Sequence, residues 1–279
     1  MIRQTLATAF TRQGIGVHTG NPCTALVAPA EFGTGFVFQT PSGRQVQARL
    51  AHVAPMAGMT VLKHGRVALG MVEHLLAALY ARGITDARIT VFGPEVPVLD
   101  GSALPWTSGL DEAGTKRGPE TEPLVVTEVV RVEDGASWAE LRPADQCEVA
   151  VTVDFGPTLR GGAEVVLGQQ AFATDVAWAR TFALQRDIAR LRQQGRGAGA
   201  SLENTVVLRP DGSALNPGGL RQPDECVRHK LLDAIGDLAL IGAPLQGRMV
   251  VHRGSHALHQ QLLVKAFGKW GPEGDVLPA

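Results

Sequence analysis

A short segment near the middle of the chain, GTKRGPETEP from Gly114 to Pro123, divides the sequence into two parts. It combines two glycines, two prolines and four charged residues, and it holds no large apolar side chain. Such a segment adds nothing to a hydrophobic core and is typical of a turn or linker. A chain of 279 residues is also long enough for about two domains. The segment therefore predicts two domains, residues 1–118 and 123–279.

Both parts combine strand-like stretches with helix-like ones. Apolar residues recur at the helical period over about residues 71–82, 184–194 and 224–241, where we predict helices. Strands interleaved with a few helices, and 33 glycines that can form turns, predict an α+β fold. The predicted strands are CTALVAP, GFVFQT, ARITVFG, LVVTEVVRV and CEVAVTVDF.

The composition excludes several classes of protein. Hydrophobic residues make up 44% of the chain and charged residues 19%, which does not fit disordered or fibrous proteins. A net charge of -1 lacks the basic excess of a nucleic-acid-binding protein. The cysteines show no CxxC spacing, so we expect neither a disulfide framework nor a thiolate metal site, and a reducing compartment is favoured. No uncharged apolar run reaches the ~18 residues of a membrane span, and we expect a cytoplasmic protein.

Glu73 and His74 are the first candidate site residues, adjacent in the helix-like segment VEHLLAAL. A metal hydrolase needs an imidazole on the metal and a carboxylate near the attacking water, and neighbouring helix positions can supply both. Such pairs are also common on solvated helix faces. Taken alone, this pair leaves a structural and a catalytic interpretation open.

A second candidate group lies in DECVRHKLLDAIGDLAL, where His229 and Asp233 are four residues apart. Residues at this spacing share one helix face and can bind one cation, and Asp237 lies one turn further along. An exposed pair beside Lys230 is the structural alternative. The flanking leucines and isoleucine predict a buried helix, whose charged side chains need partners.

The third candidate, His256, follows an apolar strand and a predicted turn in MVVHRGSHALHQQLL. His252 and His259 are its rivals, and each is expected to be a surface histidine. Two imidazoles and one carboxylate, from His74, His229 and Asp233, leave the fourth position of a zinc ion open. Non-haem iron uses the same ligand types, so these residues alone do not choose between the metals. We find no second ligand cluster in the sequence and expect one ion per chain.

Eight segments spread along nearly the whole chain carry a resemblance to a known family. They are GIGVHTG from Gly14, VEHLLAAL from Val72, GPEVPVLDGSA from Gly93, VDFGP from Val153, ARTFALQRDI from Ala179, SLENTVVL from Ser201, RHKLLDAIGDL from Arg228 and SHALHQQLL from Ser255. In this order they resemble the UDP-3-O-acyl-N-acetylglucosamine deacetylases, zinc enzymes of bacterial lipid A synthesis. One such match can arise by chance, whereas eight in register are strong evidence.

The resemblance implies roles for residues of the three candidate groups. His74, His229 and Asp233 would hold the zinc, and Glu73 would be the general base that deprotonates the attacking water. The developing oxyanion would contact Thr181 as well as the metal.

The remaining implied roles concern the leaving amine and the charges around it. His256, as the imidazolium, would protonate the amine, and Asp237 would orient this ring and raise its pKa. Lys230 would lie near the active-site anion or the substrate phosphates.

For the nucleotide, the resemblance implies that Phe155 stacks on uracil beside Asp154, with Arg253 and Lys230 near the diphosphate. The family fold is two similar α+β domains whose helices pack between two sheets, with the active site at the domain junction. This chain departs from the family at Met71, at Met59-Thr60 and at Ser255, and none of these changes removes a reacting group.

For the acyl chain, the resemblance implies an apolar passage formed by an insert from about Phe182 to Val207, with Phe182, Ile188 and Ala200 in contact with the substrate. Ala200 adds a methyl group where the family usually has glycine, and Gln185 lies where a larger apolar side chain is usual. We therefore expect a preference for shorter acyl chains.

The resulting hypothesis is a zinc-dependent amidohydrolase that releases acetate from an acylated UDP-amino sugar. A divergent paralogue is the alternative, either a deacetylase of another acylated nucleotide sugar or a non-catalytic sugar-nucleotide-binding protein. We expect a monomer without a transmembrane segment that contacts the membrane face transiently and binds no nucleic acid.

Overall fold

The computed structural model describes residues 1–54 and 56–268. The α-helices are α1 (Glu73–Ala81), α2 (Leu104–Ala113), α3 (Gln169–Asp175), α4 (Ile188–Gln193), α5 (Glu225–Leu238) and α6 (His256–Phe267). Short 3₁₀ helices cover Leu50–His52, Gly156–Thr158, Gln185–Asp187 and Ala239–Ile241. The strands are β1 (Ile2–Leu6), β2 (Phe10–Ile15), β3 (Pro22–Pro29), β4 (Phe36–Gln39), β5 (Gln45–Gln47), β6 (Val53–Ala54), β7 (Val61–His64), β8 (Val67–Gly70), β9 (Ala87–Phe92), β10 (Thr115–Glu120), β11 (Leu124–Val125), β12 (Val130–Asp134), β13 (Ser137–Arg142), β14 (Cys147–Asp154), β15 (Arg160–Val166), β16 (Phe182–Leu184), β17 (Val206–Leu208) and β18 (Leu245–His252).

The first part of the chain is built on a five-stranded mixed sheet with the order β2-β3-β9-β4-β5. Its central strands β4 and β9 run parallel, so that Phe36 faces Ala87, and the other neighbours are antiparallel. A small antiparallel sheet, β6-β7-β8, leads directly into α1.

The second part is built on a six-stranded sheet with the order β12-β13-β18-β14-β15, and β11 pairs with β18. In β18 buried and partly exposed residues alternate along the whole strand, as expected for a strand with one face on the core. The pairing of β14 with β18 is parallel, with Thr152 beside His252.

Helices lie between these two sheets. Helix α2 packs on β2, α5 packs on β14 and β15, α6 packs on β12 and β13, and α1 contacts both α2 and α5. Apolar residues of α1 and α5, such as Leu75 and Leu231, belong to one core cluster with residues of both sheets. The contact between α1 and α5 therefore joins the two parts of the chain, and an α+β fold with helices inside is confirmed.

The predicted elements exist with some changes of extent. LVVTEVVRV, predicted as one strand, forms β11 and β12 with a break between them. The helices predicted over about residues 71–82 and 224–241 begin later than predicted, because Met71 has a left-handed backbone and Asp224 is the N-terminal cap of α5. The helix predicted over about residues 184–194 is shorter: Leu184 ends β16, a 3₁₀ turn follows, and α4 covers Ile188–Gln193. The last turn of the helix predicted to Ile241 is 3₁₀.

The segment predicted to be an irregular linker forms β10, which pairs antiparallel with β1. We nevertheless propose the division into residues 1–118 and 123–279, because each of the two large sheets takes its strands from one side of it. Residues 269–279 of the second proposed domain lie outside the described residues. Among the described residues, no helix combines the length and apolarity needed to cross a bilayer.

Candidate metal centre and active site

Three predicted ligands converge where α1 and α5 meet. Asp233 Oδ1 lies 3.8 Å from His74 Nε2 and 3.4 Å from His229 Nε2. His74 is the second residue of α1, whereas His229 and Asp233 are one turn apart on α5, so the helix contact brings the three together. All three side chains are buried.

A loop carrying Thr181 holds His229 in a defined orientation. His229 Nδ1 lies 3.0 Å from Ala179 O, a distance at which Nδ1–H donates to the carbonyl and leaves Nε2 to face Asp233. The next residue, Arg180, donates to both carboxylate oxygens of Glu225 at the start of α5. Thr181 itself is fixed by a backbone hydrogen bond to Gly101 O at 2.8 Å.

The donor set fits a divalent cation. Burial lowers the pKa of His74 to about 3, and burial also lowers the pKa of His229, so both rings are neutral and offer a lone pair. Burial by itself raises the pKa of Asp233, but the positive charge of Lys230 opposes burial and helps to hold that pKa below its ordinary range. Two neutral imidazoles and one carboxylate with facing donor atoms are a ligand set for zinc or iron.

Glu73 lies beside this set at the first position of α1. Its Oε2 accepts a hydrogen bond from the backbone N–H of Thr60 at 3.1 Å, and its Oε1 lies 3.8 Å from His256 Nε2. Burial raises the pKa of Glu73 to about 7, although the positive charge of His256 opposes the shift. A carboxylate in this state can take up a proton near neutral pH.

His256, at the start of α6, belongs to a buried network around Asp237. Its Nδ1 donates to Asp237 Oδ2 at 2.7 Å, His259 Nδ1 donates to the same oxygen at 2.8 Å, and Thr60 Oγ1 donates to Oδ1 at 2.5 Å. Burial opposes protonation of His256, but Asp237 outweighs it and raises the pKa of His256 to about 9. Burial raises the pKa of Asp237, but the two histidines outweigh burial and hold that pKa below its ordinary range.

Two expectations from the sequence are wrong at this network. His259 is not a surface residue: it is 1% exposed, because it lies one turn after His256 on α6 and faces Asp237. Asp237, His256 and His259 also form a second group of potential ligand atoms. Both Nδ1 atoms of this group already donate to Asp237, so we still expect one ion per chain. The His-x-x-His spacing of His256 and His259 is the sequence signal that could have indicated this neighbour, but no helix was predicted over this segment.

Lys230 contacts the metal-ligand set directly. Its Nζ donates to Asp233 Oδ2 at 2.6 Å, which leaves Oδ1 to face the two imidazoles. The carboxylate raises the pKa of Lys230 in spite of burial, so the lysine stays cationic. Its positive charge offsets the negative charge of the buried carboxylates in the site.

A cavity of about 280 Å³ opens over the ligand set. His18 from the GIGVHTG segment also lines it, and neither ring nitrogen of His18 has a hydrogen-bond partner among the described residues. The predicted site residues in its wall are Glu73, His74, Phe155, Thr181, Phe182, Ala200, His229, Lys230, Asp233 and His256.

The predicted acyl insert forms β16, α4 and β17, with the two strands paired in parallel. It borders a second cavity of about 290 Å³, which is lined by Ile188 and shares Ala200 with the first. Gln185 is exposed and belongs to neither wall, so the expected preference for shorter acyl chains rests on Ala200 alone.

Asp154 and Arg253 are not part of either wall. Asp154 Oδ1 accepts hydrogen bonds from Arg160 Nε at 2.8 Å and from Gly156 N at 2.9 Å, and these bonds lower the pKa of Asp154. Phe155 is T-shaped against Phe182, with ring centroids 5.9 Å apart.

Strained backbone flanks the site segments. Among the described residues, the non-glycine residues with left-handed φ are Met71 (59°), Leu99 (55°) and Arg253 (52°). Met71 precedes Glu73 by two residues and Arg253 precedes His256 by three. Such conformations cost about 1–3 kcal/mol each and persist where the surrounding structure imposes them, often at functional sites.

A larger cavity, about 480 Å³, lies away from this chemistry. It is bordered by Tyr80 and Arg82 at the far end of α1 and by the segment after α5, and none of the predicted site residues lines it. Its size alone gives it no catalytic role.

Comparison with known proteins agrees with the site geometry. The family profile described as LpxC, UDP-3-O-acyl N-acetylglycosamine deacetylase, matches residues 3–267. A protein of Anaeromyxobacter dehalogenans named UDP-3-O-acyl-N-acetylglucosamine deacetylase is 43% identical over 269 residues, covering 95% of this chain and 87% of that protein. Proteins of the same name from Myxococcus xanthus (40%; 95% of this chain, 86% of that protein) and Leptospira biflexa (39%; 92% and 86%) are also similar. This chain therefore belongs to the LpxC family of UDP-3-O-acyl N-acetylglycosamine deacetylases.

Proposed function

We propose that the protein hydrolyses the acetamide of UDP-3-O-acyl-N-acetylglucosamine, releasing acetate and UDP-3-O-acyl-glucosamine, as a step of lipid A biosynthesis. One observation carries the proposal: a buried two-histidine, one-carboxylate set lies beside a carboxylate and an imidazole that are 3.8 Å apart, over one cavity. Family membership supports the same reaction and substrate.

His74, His229 and Asp233 would hold the ion, and we propose zinc, for which two imidazoles and a carboxylate are a known catalytic ligand set. When bound, the ion would polarise the acetamide carbonyl and activate the attacking water. Lys230 holds the second oxygen of Asp233 and so orients that carboxylate.

The proton transfers fall to this chain's own side chains. Glu73 takes a proton from the attacking water as the C–O bond forms at the carbonyl carbon. Thr181 donates a hydrogen bond to the developing oxyanion. His256, held as the imidazolium by Asp237, gives a proton to the amine nitrogen as the C–N bond breaks. Water and acetamide thus become acetic acid and a free amine; the acid loses its proton to solvent to give acetate, and the proton on Glu73 returns to His256.

We propose that the acyl chain enters the two adjoining cavities, along Phe182, Ile188 and Ala200. The T-shaped contact of Phe155 with Phe182 supports an aromatic wall for the uracil at the cavity edge. Asp154 and Arg253, which lie outside the cavity wall, would contact the outer part of the nucleotide.

Acetate release from the acylated UDP-sugar tests this function, combined with metal analysis of the purified protein. Active protein should hold one zinc ion per chain, and His74→Ala should lose the ion and the activity. His64→Ala, which changes an exposed histidine, is the matched control and should keep both.

Fully active metal-free protein would overturn the proposal. Sugar-nucleotide binding without acetate release would favour a binding protein, and release from another acylated nucleotide sugar alone would favour a divergent deacetylase.

We further propose a cytoplasmic monomer that contacts the membrane face transiently. Free Cys23, Cys147 and Cys226 support a reducing compartment. Light scattering during size exclusion tests the monomer, and sedimentation with lipid vesicles tests the membrane contact.

A further inference from the structure

Thr60, the residue before β7, lies between the proposed base and the proposed acid. It is fully buried. Its backbone N–H donates to Glu73 Oε2 at 3.1 Å, and its hydroxyl donates to Asp237 Oδ1 at 2.5 Å. The same hydroxyl oxygen lies 3.2 Å from His256 Nδ1. One residue therefore contacts both proton-transfer groups.

The hydrogen-bonding capacity of a hydroxyl determines the direction of these contacts. A threonine hydroxyl has one proton to donate and two lone pairs to accept with. Because the proton goes to Asp237, the contact with His256 has Nδ1–H as donor, and that proton is shared between Asp237 Oδ2 and Thr60 Oγ1. The three groups form a closed ring of hydrogen bonds, which fixes the plane of the imidazole and directs Nε2 towards Glu73.

The backbone contact acts on the other group. With Oε2 of Glu73 held by the N–H of Thr60, Oε1 is the oxygen that faces His256 Nε2 at 3.8 Å. The gap between these two atoms is where substrate and water would react. His259 supports the same arrangement from the far side of Asp237, through its bond to Oδ2.

We infer that Thr60 is a positioning residue for the reaction, which holds Glu73 and the Asp237–His256 pair in one geometry across the two parts of the chain. The inference rests on the proposed deacetylase function. We expect Thr60 to affect the rate of the reaction and not the binding of substrate or metal. Thr60 does not line the substrate cavity and contacts no proposed metal ligand.

Thr60→Val separates the two contacts. Valine keeps the shape of the threonine side chain and its backbone N–H, so the hydrogen bond to Glu73 remains. The buried Oδ1 of Asp237, however, loses its hydrogen-bond donor. General acid–base catalysis by positioned side chains contributes roughly 10²–10⁴-fold to the rate, and a misaligned Asp237–His256 pair should lose part of that contribution. We expect kcat to fall about 10–100-fold, with KM and zinc content close to those of the parent.

The experiment compares Thr60→Val, Thr60→Ser and Thr5→Val in acetate release, zinc content and thermal unfolding. Serine keeps the hydroxyl and should restore kcat to near the parent value. Thr5 is another buried threonine, whose hydroxyl oxygen accepts a hydrogen bond from Ala30 N at 2.9 Å, and its variant should lose stability but keep kcat. A proton NMR spectrum should also show the downfield ring N–H of His256 in the parent and its shift in Thr60→Val.

An unchanged kcat in Thr60→Val, or equal losses in the serine and valine variants, would overturn the inference. If Thr60→Val does not fold, Thr60→Ala against Thr60→Ser makes the same comparison with a smaller side chain. A parent protein that releases no acetate would instead reject the proposed function, and the two failures are thereby distinguished.

Discussion

The pKa values of Glu73 and His256 are both raised, but for different physical reasons. Burial makes the carboxylate of Glu73 hold a proton more tightly, whereas Asp237 makes the imidazole of His256 hold its proton more tightly than burial alone would allow. Between the two pKa values, about 7 and about 9, Glu73 is ionised while His256 is still charged. This is the combination that a base and an acid need in one step.

The pH dependence of activity follows from these shifts. Glu73 acts as the carboxylate, so activity should rise as the pH increases through about 7, and His256 acts as the imidazolium, so activity should fall as the pH increases through about 9. Measurement of kcat/KM across this range should give a bell-shaped profile. His256→Ala should lose most of its activity and the alkaline limb; a parent profile that rises through pH 9 would contradict the assignment.

Glu73→Ala should keep the metal and lose turnover by roughly 10²–10⁴-fold, the usual contribution of general acid–base catalysis. The metal stays because Glu73 is not one of the three convergent ligands. Acetate release and zinc content are measured together. Glu203→Ala, at an exposed glutamate, is the control and should match the parent. Parent-like turnover in Glu73→Ala would mean that another group is the base.

At the scale of elements, the close contact of α1 with α5 determines the site. Gly236 of α5 faces the backbone of Glu73, and a Cβ placed on Gly236 would lie 2.2 Å from the carbonyl oxygen of Glu73. Only glycine allows this approach, and the approach sets the distance between His74 and Asp233.

Gly236→Ala should therefore separate the two helices. We expect it to lower the free energy of unfolding by about 1–3 kcal/mol and to reduce zinc affinity and activity. Denaturant unfolding and metal titration measure the two effects. Gly168→Ala is the control, since its added methyl group would meet no atom within 4 Å. Unchanged stability and zinc affinity in Gly236→Ala would show that the helices adjust without loss.

The acyl insert is the second element with a testable consequence. Ala200 lines both cavities, so removing its methyl group should widen the passage and shift the preferred acyl length upwards. One methylene in such a pocket is worth about 1–3 kcal/mol, roughly 10- to 200-fold in specificity. Turnover of substrates that differ only in acyl length decides this for the parent and Ala200→Gly. Identical length profiles would remove Ala200 from the passage wall.

At the scale of the whole molecule, one apolar core includes residues from both proposed domains. The proposed catalytic and metal-binding groups come from both as well, with Glu73 and His74 on one side and Asp233 and His256 on the other. The proposed active site therefore lies at the contact between the two proposed domains.

Because the core is shared, we expect the two proposed domains to unfold together. Unfolding should follow one transition, whether it is measured by tryptophan fluorescence, which reports on buried Trp106, or by far-ultraviolet circular dichroism. The calorimetric enthalpy of unfolding should also equal the van't Hoff enthalpy. Two separate transitions would show that each domain is stable without the other.

Much of this architecture is predictable from the sequence, because strands and helices leave local periodic patterns. The helical period and the spacing of His229 and Asp233 predict α5 and one shared face, which depend only on neighbouring residues. The resemblance in eight segments predicted the family, and the comparisons confirmed it.

Contacts between distant segments required the tertiary structure. The segment from Gly114 to Pro123 was predicted as a linker from its composition, yet its backbone groups pair with β1 from the start of the chain. His259 was expected at the surface, and its partner Asp237 lies on another helix. Thr60 was noted in the sequence only as part of Met59-Thr60, and no local pattern predicts its contacts with Glu73 and Asp237. The sequence determined which groups are present and which short elements they form; packing of α1 against α5 decided which groups meet, because only long-range burial and hydrogen bonding bring remote residues within bonding distance.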